Sequence, residues 1–115
     1  MAKEHDLEKR TAEFAKSVMR TCKTLPLNAI NDRLVGQVVG AAGSIGANYR
    51  EANDSLGKKD FVQRLKIARR EAKECAYWLD LVAEANGEKR SEISPLVKEC
   101  EEIKCILSAI ILKSE

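Results

Sequence analysis

The sequence predicts an all-α fold, an antiparallel up-down-up-down four-helix bundle made by a single domain over residues 1–115. Three observations predict it. Only 2 prolines and 6 glycines interrupt 115 residues, while 33% of the side chains are charged, a balance that suits amphipathic helices. Apolar residues recur every three or four positions along four long segments. The gaps between those segments are short, so consecutive helices become antiparallel neighbours. Aromatics supply 4% of the chain against 44% hydrophobic residues, so Leu, Ile, Val and Ala must build the core. A domain of this size buries roughly two-thirds of its surface.

Segment one spans about Asp6 to Thr24. Leu7, Thr11, Phe14, Val18, Cys22 and Leu25 step at the helical period, Asp6 is placed to cap the start, and Leu25-Pro26 ends the run. Segment two starts at Asn28 or Asn31, both good caps, and runs to about Asn53. Its stripe is Ile30, Leu34, Val38, Ala41, Ile45, Tyr49 and Ala52. Gly36, Gly40, Gly43 and Ala47 form a second stripe of small residues. Each glycine costs on the order of 1 kcal/mol against alanine in a helix. Close backbone approach inside a bundle or oligomer explains that cost, and a kinked helix is the alternative. Gly36-x-x-x-Gly40 has the spacing of membrane helix dimers, but Arg33, Arg50 and Glu51 flank it.

Segment three follows the break Asn53-Asp54-Ser55-Leu56-Gly57, with Gly57 as cap and Asp60 in the first turn. Phe61, Leu65, Ala68, Ala72, Cys75, Leu79 and Val82 form its stripe, and Asn86-Gly87 stops it. Segment four starts at Ser91 or Ser94 with Pro95 in its first turn. Ile93, Val97, Cys100, Ile103, Leu107 and Ile110 face the core, and Ile106 and Ile111 mark a second face used for assembly.

Several chemistries are disfavoured. Cys22, Cys75, Cys100 and Cys105 show no CxxC pair, so they read as free thiols in a reducing cytoplasm rather than a zinc or disulfide site. His5 is the sole histidine, which leaves a His-based triad without a base and a di-iron site without its Glu-x-x-His pairs. The first residues lack the apolar core of a signal peptide, and no apolar run approaches the roughly 18 residues of a membrane span. No metal ligand set, cofactor motif or catalytic residue is assigned. Gly40-Ala41-Ala42-Gly43-Ser44-Ile45-Gly46 superficially suggests a phosphate loop but lacks the Gly-Lys-Ser/Thr ending and a preceding strand.

Charge is unevenly placed. Residues 1–80 carry 15 basic and 11 acidic side chains, whereas residues 81–115 carry 5 and 7. Residues 58–73 concentrate seven bases, Lys58, Lys59, Arg64, Lys66, Arg69, Arg70 and Lys73, against Asp60 and Glu71. Lys59, Lys66, Arg70 and Lys73 fall opposite the apolar stripe, flanked by Lys58 and Arg69. Like charges on one helix repel, and a nucleic-acid backbone is the commonest partner that relieves them. The plainer alternative is a solvated face balanced by Glu99, Glu101 and Glu102 of segment four. Ser44, Asn48 and Glu51 share one side of segment two, where Glu51 is in reach of Arg69 or Arg70. They read as an interior polar network or, with Glu71 and Glu74, as a carboxylate site.

Arg10-Thr11-x-x-Phe14-Ala15, Leu25-Pro26, Gln37 and Ser44-Ile45-x-Ala47-Asn48-x-x-Glu51-Ala52 follow one family's order and spacing. So do Asp60-Phe61, Ile67-Ala68-x-x-Glu71-Ala72-x-Glu74 and Tyr77-Trp78-Leu79. From about residue 7 to 110 the chain resembles bacterial four-helix bundle proteins encoded in intervening sequences of large-subunit ribosomal RNA genes, often catalogued as a ribosomal protein. The resemblance implies a ring-like homopentamer and kinship with the accessory variability protein of diversity-generating retroelements, a basic pentamer that binds nucleic acid and a reverse transcriptase. It implies no catalytic residues; Ser44, Asn48, Glu51, Glu71, Glu74, Tyr77 and Trp78 carry over as signature positions. The family's usual serine before Asp-Phe is Gly57 here, and Val39-Gly40 stands where a basic or bulky residue is frequent. Any basic groove therefore moves from segment two to segment three.

The expectation is a non-enzymatic, cytoplasmic homo-oligomer that binds RNA or DNA through the seven bases. The rival is a scaffold that docks a partner enzyme through Tyr49, Tyr77 or Trp78 without touching nucleic acid. A metal-dependent enzyme on Glu51, Glu71 and Glu74 is a third reading.

Overall fold

The computed structural model describes residues 2–115, with side chains described from Leu7 onward. The helices are α1 (Ala2–Cys22), α2 (Ala29–Asn53), α3 (Lys58–Ala85) and α4 (Arg90–Ser114), with a 3-10 turn at Gly87–Lys89 leading into α4. Among the described residues there is no strand. α3 packs chiefly against α2 and α4, and α1 leans on α2 and more lightly on α4, diagonally across from α3. The bundle measures 45 × 22 × 19 Å. At about 1.5 Å per residue, α3 runs nearly its whole length.

The core is aliphatic. Leu7, Phe14 and Val18 of α1 meet Val38, Ile45 and Tyr49 of α2, Leu65, Ala72 and Leu79 of α3, and Ile93, Ile103 and Leu107 of α4 in one buried cluster. Cys75 and Cys100 lie in it as free thiols, Cys22 is half-buried and Cys105 is exposed. The Cys100 thiol donates to the Ala72 carbonyl at 3.0 Å. The contact with the Cys100 thiol, and then burial, push the Cys75 thiol far up.

Several boundaries differ from the sequence reading. α1 begins at Ala2, so Asp6 lies inside the helix, and its side chain falls outside the described ones. Of the two caps the sequence offers for α2, Asn28 is the one used, accepting the Asn31 N–H at 2.8 Å. Ile30, expected on the apolar stripe, is 64% exposed in the first turn of α2. Gly57 occupies the α3 cap position without a side-chain bond. α4 starts at Arg90, ahead of Ser91 and Ser94, because the 3-10 turn supplies its first turn through the Lys89 N–H to the Asn86 carbonyl at 2.8 Å. Pro95 therefore sits inside the helix, where the Ser91 carbonyl it cannot serve is on an exposed residue. Ile111, one turn after Leu107, takes the core position expected of Ile110, which is half-buried. Ile106 also packs on the chain's own core, so the two isoleucines do not form a free assembly face.

α3 ends on an amide pair rather than a left-handed glycine; no glycine has positive φ. Asn31 Nδ2 donates to Asn86 Oδ1 at 3.0 Å and Asn86 Nδ2 returns the bond to Asn31 Oδ1 at 2.9 Å. The remaining donors reach the Pro26 and Val82 carbonyls. Both asparagines are buried, so this closed network ties the start of α2 to the end of α3. Replacing either one by Ala leaves its partner unpaired and is expected to cost about 1–3 kcal/mol in urea unfolding. The double variant should cost less than the sum of the two singles.

The glycine stripe is not used inside this bundle. A Cβ at Gly36, Gly40 or Gly43 would meet nothing within 4 Å, and α2 runs through them as one helix. Gly46, outside that stripe, is the glycine that packing requires: its Cβ would lie 2.9 Å from Thr11 Oγ1 of α1. Alanine at Gly36, Gly40 or Gly43 should raise stability by up to about 1 kcal/mol each. Alanine at Gly46 should lower it, because overpacking costs roughly 1–3 kcal/mol against the same gain. Thermal melts of the four variants check this, and destabilisation at Gly40 would mean that another backbone covers the stripe.

Candidate nucleic-acid interface

The seven bases of α3 do not form one equivalent set. Lys58, Lys59, Lys66, Arg70 and Lys73 are exposed, while Arg64 and Arg69 are half-buried. Helical spacing puts Lys59, Lys66, Arg70 and Lys73 on the outward row, Lys58 and Arg69 on one flank and Arg64 on the other. Arg64 lies 3.9 Å from Asp60, and Lys66 reaches Glu115 at 3.0 Å. Among the described residues, Lys58, Lys59, Arg69, Arg70 and Lys73 make no ion pair.

The acids of α4 are engaged elsewhere. Arg10 of α1 donates to both carboxylate oxygens of Glu99, at 2.6 and 2.9 Å, and to Glu102 at 2.7 Å. Glu101 pairs with Lys104 at 3.2 Å. Glu99, Glu101 and Glu102 therefore clamp α1 and stabilise their own helix rather than neutralising α3, and Glu115 at the end of α4 reaches Lys66 alone. Sequence spacing gave no sign of the Arg10 clamp, since its partners are 89 and 92 residues away. An open cavity of about 540 Å³ at the α2–α3 turn, lined in part by Lys58 and Lys113, extends the positive surface to the end of α4.

The polar residues of α2 do not form an interior network. Asn48 Nδ2 donates to the Ser44 carbonyl of its own helix at 2.9 Å. Glu51 is exposed and makes no ion pair with Arg69 or Arg70. The network expected there exists instead at Asn31 and Asn86. The glycine-rich run from Gly40 to Gly46 lies within α2, so it is not a phosphate loop. No three His, Cys, Asp or Glu among the described residues come together as a metal site, so Glu51, Glu71 and Glu74 do not assemble one. Tyr49 is 1% exposed and cannot dock a partner, whereas Tyr77 is exposed and Trp78 half-buried.

Burial raises the Glu71 carboxyl above its ordinary 4.5, the charge of Glu74 adds to this, and Arg70 partly offsets it. The folded chain therefore holds that proton more tightly than the unfolded chain does. This contribution favours folding below 4.5 and is lost as pH rises through the raised folded value. Glu71→Gln should be more stable than the parent at neutral pH, with the gap closing below 4.5, as read from urea midpoints across pH.

No helix among the described residues is long and apolar enough to cross a membrane. A family model described as 23S rRNA-intervening sequence protein matches residues 3–109. No curated protein matches the chain. Among solved structures it is similar to a protein of unknown function from the S23 ribosomal protein family of Bacteroides thetaiotaomicron. The two are 30% identical with a TM-score of 0.82, over 95% of this chain and 97% of that one.

Proposed function

Because the chain belongs to the 23S rRNA intervening sequence protein family, we propose that it is a non-enzymatic homo-oligomer that binds RNA or DNA backbone through the basic face of α3. The observation that carries this reading is the outward row of Lys59, Lys66, Arg70 and Lys73, of which only Lys66 has an acidic partner among the described residues, Glu115 at the end of α4. A polyanion relieves the repulsion within such a row. Lys58 and Arg69 widen it, Lys113 extends it, and Arg64 lies across the helix beside Asp60. Symmetric assembly, a ring of five by the family resemblance, repeats the row and deepens its potential. The four free thiols suit a reducing cytoplasm.

The test is the salt dependence of affinity for a structured RNA. Log affinity should fall linearly with log salt, by about 0.7–0.9 per phosphate contacted. Salt-independent binding, or none at low salt, removes the reading.

A second reading, a scaffold that docks a partner enzyme, is favoured by Leu27 and Ile30, which are 95% and 64% exposed at one end of the bundle. A pull-down that yields one stoichiometric protein after nuclease treatment would support it.

A further inference from the structure

We propose that Tyr77 is a stacking platform for an unpaired base, so that the α3 face takes a single-stranded stretch of nucleic acid rather than a duplex. The inference rests on the reading that α3 binds nucleic acid and names the form it takes.

Three observations meet at this residue. Tyr77 is 58% exposed, the only large aromatic among the exposed apolar side chains of the described residues. It continues the outward basic row, one turn after Lys73 and two after Arg70, so about 6 and 10.5 Å along the helix axis. Its ring also meets the edge of Trp78 at a centroid distance of 5.2 Å and an interplanar angle of 66°. Trp78 is half-buried and packed against the core, so this ring contact braces the tyrosine. A ring braced in this way and limited to two rotatable bonds loses little freedom on binding. Lys73, Glu74 and Asp80 all lie one turn from Tyr77 by helical spacing, so the neighbouring phosphates of a stacked base would be met by Lys73 and, a turn further, Arg70, on the side away from Asp80. Bases inside a duplex are already stacked and paired, so only a single strand, loop or frayed end supplies one. The other exposed apolar residues, among them Leu27, Leu56 and Leu112, offer no ring face.

The experiment compares the full chain with Tyr77→Ala and Tyr77→Phe. Each is titrated at one low salt concentration with a single-stranded oligouridine and with an RNA duplex of equal length. Tyr77→Ala should lose roughly 10- to 100-fold in affinity for the single strand and little for the duplex, while Tyr77→Phe keeps both. The sole tryptophan, Trp78, should report the single strand by a change in fluorescence that the duplex does not produce. Unchanged single-strand affinity in Tyr77→Ala, with a steep salt dependence intact, overturns the platform and leaves the electrostatic reading standing. Equal losses on both ligands, or a drop in solution mass marking a subunit contact, also overturn it. If the parent chain binds neither RNA at low salt, both readings fail together.

Discussion

Arg70→Glu combined with Lys73→Glu is expected to lower affinity for structured RNA by about a hundredfold or more at low salt and to flatten its salt dependence. Each reversal removes one phosphate contact and adds a repulsion, so the log–log slope should shrink by about 1.4–1.8 for the pair. Both side chains are exposed, on the outward row and without an ion pair among the described residues, so the fold should be barely affected. Surface changes of this kind usually stay within about 0.5 kcal/mol. Arg69 is a poorer target because it is half-buried, and reversing its charge would mix a folding defect into the binding loss. Fluorescence anisotropy with a labelled RNA, beside a thermal melt of the same sample, separates the two effects. Full binding by the double variant would mean that α3 is not the contact surface.

Leu65→Ala is expected to cost about 2–5 kcal/mol in urea unfolding, a large share of the roughly 5–15 kcal/mol that holds a domain of this kind together. Leu65 is fully buried on the core stripe of α3. The next positions of that stripe, Ala68 and Ala72, are also fully buried and already minimal in size. Few nearby side chains on α3 can therefore relax into the hole, and the cost should sit in the upper part of the range. A loss under about 1 kcal/mol would indicate that α3 is not packed as described.

The sequence made the helices legible because their stripes are long and periodic. Every stripe residue named for α1 and α3 is buried or half-buried in the fold. Ends were harder, because they depend on partners distant in sequence. Asn86 looked like half of a turn signal, yet its amide is held by Asn31, 55 residues earlier. The start of α4 differs from the serine start that the sequence suggests for a related reason: a 3-10 turn, and not a serine cap, begins it. The spacing of the three exposed glycines suggests close approach, but no other helix of the same chain comes within 4 Å of a Cβ placed there. The basic row was legible as spacing on one helix. That Glu99 and Glu102 are committed to Arg10 was not, because this pairing follows from how α1 and α4 lie together.

Light scattering in low salt, with and without a structured RNA, tests most directly the claim that this bundle assembles and takes up nucleic acid. The chain alone should have a mass several times 12.8 kDa, and RNA should raise it in discrete steps that high salt reverses. A single-chain mass that added RNA leaves unchanged would contradict the claim.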